Sequence, residues 1–103
     1  MGKELRALGF NLDFAPVLDT FLEPKNTVIG ERAFSNKISE ITKWALEFSQ
    51  GLESTGVMSC GKHFPGHGAT IADSHFELPQ RCVTKEQLFQ EELQPFISYI
   101  NAG

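Results

Sequence analysis

The chain has 103 residues, 41% of them hydrophobic, and a formal charge of −4 at neutral pH. Mild acidity without a basic stripe excludes a protein that tracks a nucleic-acid backbone, and no run approaches the roughly 18 apolar residues of a membrane span. Met1-Gly2-Lys3-Glu4-Leu5-Arg6 is charged but leads into no apolar stretch, so no signal peptide is visible.

Residues 3–8 read as the tail of a helix, with Gly9 as its stop. Phe10 to Val17 alternates apolar and polar and then turns wholly apolar, as a core strand does. Pro16 belongs at the end of that strand, because proline cannot donate to a sheet ladder. From Leu18 to Phe34 there is no periodicity, and a loop of this length suggests function. Ile38, Ile41, Ala45, Phe48 and Leu52 then step by three and four along a helix that Ser35 or Asn36 can cap and Gly56 can end. Val57-Met58-Ser59-Cys60 reads as a short buried strand running to Gly61. Cys60 and Cys82 lack metal-like spacing and are taken as a buried strand thiol and an incidental loop thiol. A last helix starts near Thr84, where Thr84 and Gln87 fit a capping box, and Leu88, Leu93, Phe96 and Ile100 supply its apolar face. Pro95 is the expected bend in it.

Strands alternating with helices imply parallel β/α units, hence an α/β fold. Two strands make no closed parallel sheet, so the chain is either a small open domain or a piece of something larger.

The chemistry concentrates in residues 61–75, Gly-Lys-His-Phe-Pro-Gly-His-Gly-Ala-Thr-Ile-Ala-Asp-Ser-His, which carry all three histidines of the chain. Gly61, Pro65, Gly66 and Gly68 rule out regular structure, so the reactive groups hang on a loop at the carboxyl end of a strand, where α/β folds keep their active sites. His63, His67 and His75 with Asp73 have the donor atoms for a metal. Pro65 and Gly66, however, deny His63 and His67 the helical spacing of a zinc-peptidase pair. Asp73 and His75 can alternatively act together, the carboxylate raising the imidazole pKa and poising it as a general acid; an ordinary Asp turn beside an exposed histidine is the plainer alternative. Lys62, at the tip of a strand, and Arg32 could each bind an anionic or hydroxyl group. The plainer roles are a solvated lysine and an arginine paired with Glu31 or Asp19. Asp19 itself is either a ligand contact or a cap on the following turn.

Lys62-His63-Phe64-Pro65-Gly66-His67-Gly68, Thr70 and Asp73-Ser74-His75 together resemble the signature of glycoside hydrolase family 3. The likeness is to its β-N-acetylglucosaminidase branch. Asn11 to Asp19 and Ile29 to Phe34 agree in order and spacing, and the similarity runs through the whole chain. The resemblance implies that residues 1–103 are part of the family's N-terminal catalytic domain, about the middle third of a (β/α)8 TIM barrel, which needs about 250 residues. It also implies removal of terminal β-linked N-acetylglucosamine with retention, through a covalent glycosyl-enzyme. An Asp–His dyad replaces the usual second carboxylate of such enzymes. Carried over residue by residue, His75 is the acid/base and Asp73 orients and charges it. Arg32, Lys62 and His63 bind the sugar, and His67 shapes the loop. The nucleophile is expected on a later strand and another sugar-binding segment before Met1, so the chain alone should be inactive and, with open sheet edges, poorly stable. The implied substrate is a cytoplasmic peptidoglycan turnover fragment, a GlcNAc-containing muropeptide, with no cofactor and no resident metal. Two other readings stay open: a small metal-dependent hydrolase using the histidines, and a non-catalytic sugar-binding remnant.

Overall fold

The computed structural model describes residues 1–71 and 75–103. In chain order it has α1 (Gly2–Ala7), β1 (Leu12–Asp13), a 3₁₀ turn (Gly30–Arg32), α2 (Ile38–Glu53), β2 (Met58–Ser59), α3 (Lys85–Gln90) and α4 (Leu93–Asn101). Among the described residues, no helix is long and apolar enough to cross a membrane.

The same glycine device launches both strands. At the end of α1, Gly9 takes φ +90°, its N–H donates to Arg6 O at 3.0 Å and Phe10 N–H reaches back to Leu5 O at 3.0 Å. At the end of α2, Gly56 takes φ +80°, its N–H donates to Glu53 O at 2.9 Å and Val57 N–H reaches Leu52 O at 3.4 Å. This paired return of N–H groups to the last carbonyls favours glycine, because a Cβ resists that backbone conformation. Each helix is thereby stopped and the chain turned directly into a strand.

β1 and β2 pair in parallel, Leu12 opposite Met58 and Asp13 opposite Ser59. Regular strand geometry is confined to those residues, yet the pairing runs on. Cys60 N donates to Ala15 O and Lys62 N to Pro16 O, each at 2.9 Å, and Val17 bridges Lys62. Pro16 sits in this ladder as acceptor only, which is the one part it can play.

The two faces of the sheet differ. On one, Ser59 points at α4, where its hydroxyl contacts the Tyr99 hydroxyl, which also meets the buried Ser49 of α2 at 2.8 Å. Leu18, Ala45 and Phe96 form the core there, with Tyr99 packed against them. On the other, Leu12, Phe14 and Met58 are exposed. The expectation of a wholly buried second strand therefore fails for Met58. Side chains alternate across a strand, and α2 and α4 cover only the side that Val57 and Ser59 face.

α2 buries Ile41, Ala45, Ser49 and Leu52. Ile41, Ala45 and Leu52 belong to the stripe expected from the three-and-four spacing, but Ser49 is buried where Phe48 was expected, and Ile38 and Phe48 are only half-buried. Its start differs from expectation. Lys37, not Ser35 or Asn36, occupies the N-cap position and no side chain caps it. Ser35 sits two residues too early, so its hydroxyl accepts from Lys37 N at 3.1 Å and donates to Glu40 at 2.6 Å. The Thr84–Gln87 capping box is present at α3.

The last helix is broken, but not at Pro95. The break falls at Glu91–Glu92, where Glu91 leaves helical geometry (φ −109°, ψ −84°). Pro95 stands in the first turn of α4, where its missing N–H would have had no intrahelical acceptor. Glu92 is turned inward and buried, and that tertiary demand sets the break.

Candidate active site

The register carries the site. With Val17 beside Lys62, the next residues of both segments leave the sheet at the same end, and Asp19 meets His63. Asp19 is 1% exposed. Its Oδ2 accepts from His63 N at 3.1 Å and faces His63 Nδ1 at 2.6 Å, while Oδ1 accepts from His67 N at 2.6 Å. One buried carboxylate thus gathers three donors from the histidine loop.

That arrangement fixes a tautomer. An ionised carboxylate only accepts, so His63 carries its proton on Nδ1 and presents Nε2 as an acceptor. Arg32 NH2 lies 3.4 Å from that Nε2, and Arg32 NH1 donates to Val28 O at 3.0 Å. Arg32 therefore pairs with His63 and reaches Asp19 only through it. The result is a relay, Asp19 to His63 to Arg32, that begins in the buried floor and ends at an exposed guanidinium.

The long 18–34 segment is built into this floor. Asn26, 1% exposed, donates from Nδ2 to His67 O at 2.7 Å and accepts from Ile29 N at 2.8 Å. Glu23 N donates to Gly68 O at 3.2 Å. A Cβ on Gly68 would run into the Thr20 carbonyl, so the two loops touch backbone to backbone there. His67 is clasped by Thr70, whose hydroxyl lies 2.9 Å from Nδ1 and donates to the His67 carbonyl at 3.0 Å. The peptide bonds Lys62–His63 and Phe64–Pro65 are cis.

Of the residues singled out from sequence, the structure brings Arg32 and His63 together and holds Lys62 next to them through its backbone in the ladder. His75 is exposed on the downstream limb, and Asp73 lies outside the described residues. His63 and His67 stand edge to face, ring centroids 6.4 Å apart, with both Nδ1 atoms engaged by Asp19 and Thr70. Among the described residues, no three His, Cys, Asp or Glu side chains converge on one point. Cys60 and Cys82 are both free thiols, Cys60 half-buried and Cys82 exposed. The sequence left Asp19 undecided and did not single out Asn26. A buried carboxylate's partners 44 and 48 positions away have no local signal.

The family model for the glycosyl hydrolase family 3 N-terminal domain matches residues 1–103. The chain belongs to glycosyl hydrolase family 3. It is 46% identical over 100 residues to a β-hexosaminidase of Idiomarina loihiensis, covering 97% of this chain and 30% of that protein. Among solved structures, it superposes on NagZ from Neisseria gonorrhoeae, in complex with N-trifluoroacetyl-D-glucosamine, with a TM-score of 0.91 at 40% identity, over 99% of this chain and 30% of that one. It matches a family 3 β-N-acetylglucosaminidase of Paenibacillus with a TM-score of 0.95 at 43% identity, over 99% of this chain and 19% of that one. The chain thus spans less than a third of these family 3 relatives. Its parallel β/α units are a piece of the family's TIM-barrel-type domain.

Proposed function

We propose that residues 1–103 contribute the sugar-binding and proton-transfer half of a retaining β-N-acetylglucosaminidase site. The observation that carries this is the Asp19–His63–Arg32 relay at the carboxyl ends of adjacent parallel strands. It holds the planar Arg32 donor fork in place against an imidazole that Asp19 orients, and the fork's remaining N–H groups suit sugar hydroxyls. The backbone of Lys62 is held at the same strand tip, and its ammonium is a further donor in this reading. The gonococcal relative's complex with an N-acylated glucosamine, and the β-hexosaminidase relatives, support the substrate class.

In this reading His75, charged and oriented by Asp73, gives its proton to the glycosidic oxygen as the bond from C1 to that oxygen breaks. A carboxylate from outside residues 1–103 forms the ester bond to C1. Neutral His75 then takes a proton from water, whose oxygen attacks C1 and releases the carboxylate. The natural substrate is a GlcNAc-containing muropeptide handled in the cytoplasm during peptidoglycan recycling, and the chain without that carboxylate is inactive.

The test uses a chimaera in which these residues replace the matching segment of the Idiomarina enzyme. The folded chimaera should hydrolyse aryl N-acetyl-β-glucosaminides in preference to β-glucosides, and His75→Ala should lower turnover by about 10²–10⁴-fold. Preference for the glucoside overturns the branch. Full activity in His75→Ala removes its role.

A further inference from the structure

Three groups outside the relay meet where the histidine loop's two limbs approach the α3–α4 junction. Glu92 is 4% exposed, a buried carboxylate that no step above uses. Arg81 reaches it across the chain, NH1 pairing with Glu92 Oε1 and NH2 with Glu91 Oε2. From the other side Gly66 lies flat against it, since a Cβ there would stand 2.6 Å from Glu92 Cβ. Glu92 therefore touches both limbs, the 63–70 limb at Gly66 and the 75–83 limb at Arg81. His63, Gly66, His67, Arg81 and Glu92 line one cavity of about 520 Å³.

A buried ion pair is a costly way to stabilise a fold, and apolar residues of similar volume often do it as well. What the pair does supply is direction, because a guanidinium fork fits carboxylates in one plane. Arg81 follows His75 by six residues, and a chain of that length spans at most about 20 Å. A tether at Arg81 thus limits where the His75 imidazole can travel. Helix α3 ends at this same place, with its continuation into α4 sacrificed so that Glu92 can turn inward.

We infer that Arg81 and Glu92 are positioning residues for the reaction, a latch that holds the limb carrying His75 in register with the floor carrying His63. This rests on His75 being the proton donor. The latch touches no substrate and acts only through His75, and that predicts a specific kinetic signature. Departure of an acidic phenol needs no proton, whereas departure of a weakly acidic one does. Losing the latch should therefore harm only substrates that need the acid.

The experiment compares kcat/KM on 2,4-dinitrophenyl and 4-methylumbelliferyl N-acetyl-β-glucosaminides in the chimaera and in its His75→Ala, Arg81→Ala, Arg81→Lys and Glu92→Gln variants. His75→Ala calibrates the assay: a large loss on the methylumbelliferyl substrate and a small one on the dinitrophenyl substrate is the acid-loss pattern. Arg81→Ala and Glu92→Gln should show the same pattern at reduced size, at least tenfold on the first substrate and under threefold on the second, with KM little changed. Arg81→Lys, which keeps the charge but not the fork and is the variant most certain to fold, should fall between. Equal losses on both substrates, or none, overturn the latch while leaving the assignment of His75 standing. Absence of the pattern in His75→Ala itself overturns that assignment instead.

Discussion

Asp19 and His63 are joined twice, through the His63 backbone N–H and through its ring Nδ1, both on the same carboxylate oxygen. The second oxygen holds His67 N. A single side chain thus sets the path of the histidine loop and the tautomer of its first imidazole, and the two effects can be separated by substitution.

Asp19→Asn keeps size and two acceptor lone pairs on one atom, but its amide nitrogen donates and cannot serve both oxygens' partners. The outcome expected in the chimaera is a KM for aryl N-acetyl-β-glucosaminide raised by about tenfold, the loss of one charge-assisted bond. Asp19→Ala orphans three donors and should cost about 1–3 kcal/mol for each that stays buried, visible as a lowered urea midpoint. If Asp19→Asn leaves KM unchanged, His63 orientation does not depend on this carboxylate.

How far all this was legible beforehand depends on range. The glycine stops at Gly9 and Gly56, the burial of Ile41, Ala45 and Leu52 along α2 and the Thr84–Gln87 box are local, and each is written within a few residues of where it acts. Arg32, Lys62 and His63 were also singled out beforehand, by the family resemblance of the segments that carry them, and the structure brings Arg32 and His63 together. Their arrangement was not legible. Asp19 meets His63 only because the parallel register places Val17 against Lys62, and a register is a property of two strands. The broken last helix has the same origin. Pro95 is the conspicuous local breaker, yet the chain breaks at Glu91–Glu92, where Arg81 and the backbone at Gly66 hold Glu92 inside. Ser35 and Asn36, the caps expected for α2, fall two positions and one position before its N-cap Lys37, within the usual uncertainty of helix ends.

Gly68 offers a test of the contact between the 18–34 segment and the histidine loop. Its Cβ-less carbon lies against the Thr20 backbone, which cannot rotate away as a side chain can. Gly68→Ala should therefore destabilise the chimaera by about 1–3 kcal/mol, the range for overpacking a filled interior. It should also raise KM, because the shift moves both the Asp19 and the His67 sides of the floor. Gly61→Ala is a useful comparison, since its obstacle is the Leu18 side chain, which has rotamers to move into. A milder effect at Gly68 than at Gly61 would contradict the close backbone approach.

A last expectation concerns pH and the start of α2. The Ser35 hydroxyl, then Lys37, hold the Glu40 carboxyl below its ordinary value of 4.5. A carboxyl depressed in the folded state binds its proton more weakly there than in the unfolded chain, so it stabilises the fold above pH 4.5 and that contribution is lost as pH falls through the folded value. Glu40 is exposed to solvent, so the effect is small and salt-sensitive. Comparing melting temperatures of the chimaera and its Glu40→Gln variant at low ionic strength should show the parent ahead at neutral pH. The gap should begin to shrink just below pH 4.5 and vanish under stronger acid, and Ser35→Ala should shift its closing to higher pH. A gap that stays constant down through that window would mean Glu40 acts by packing or helix propensity, and that the Ser35 contact holds no charge in place.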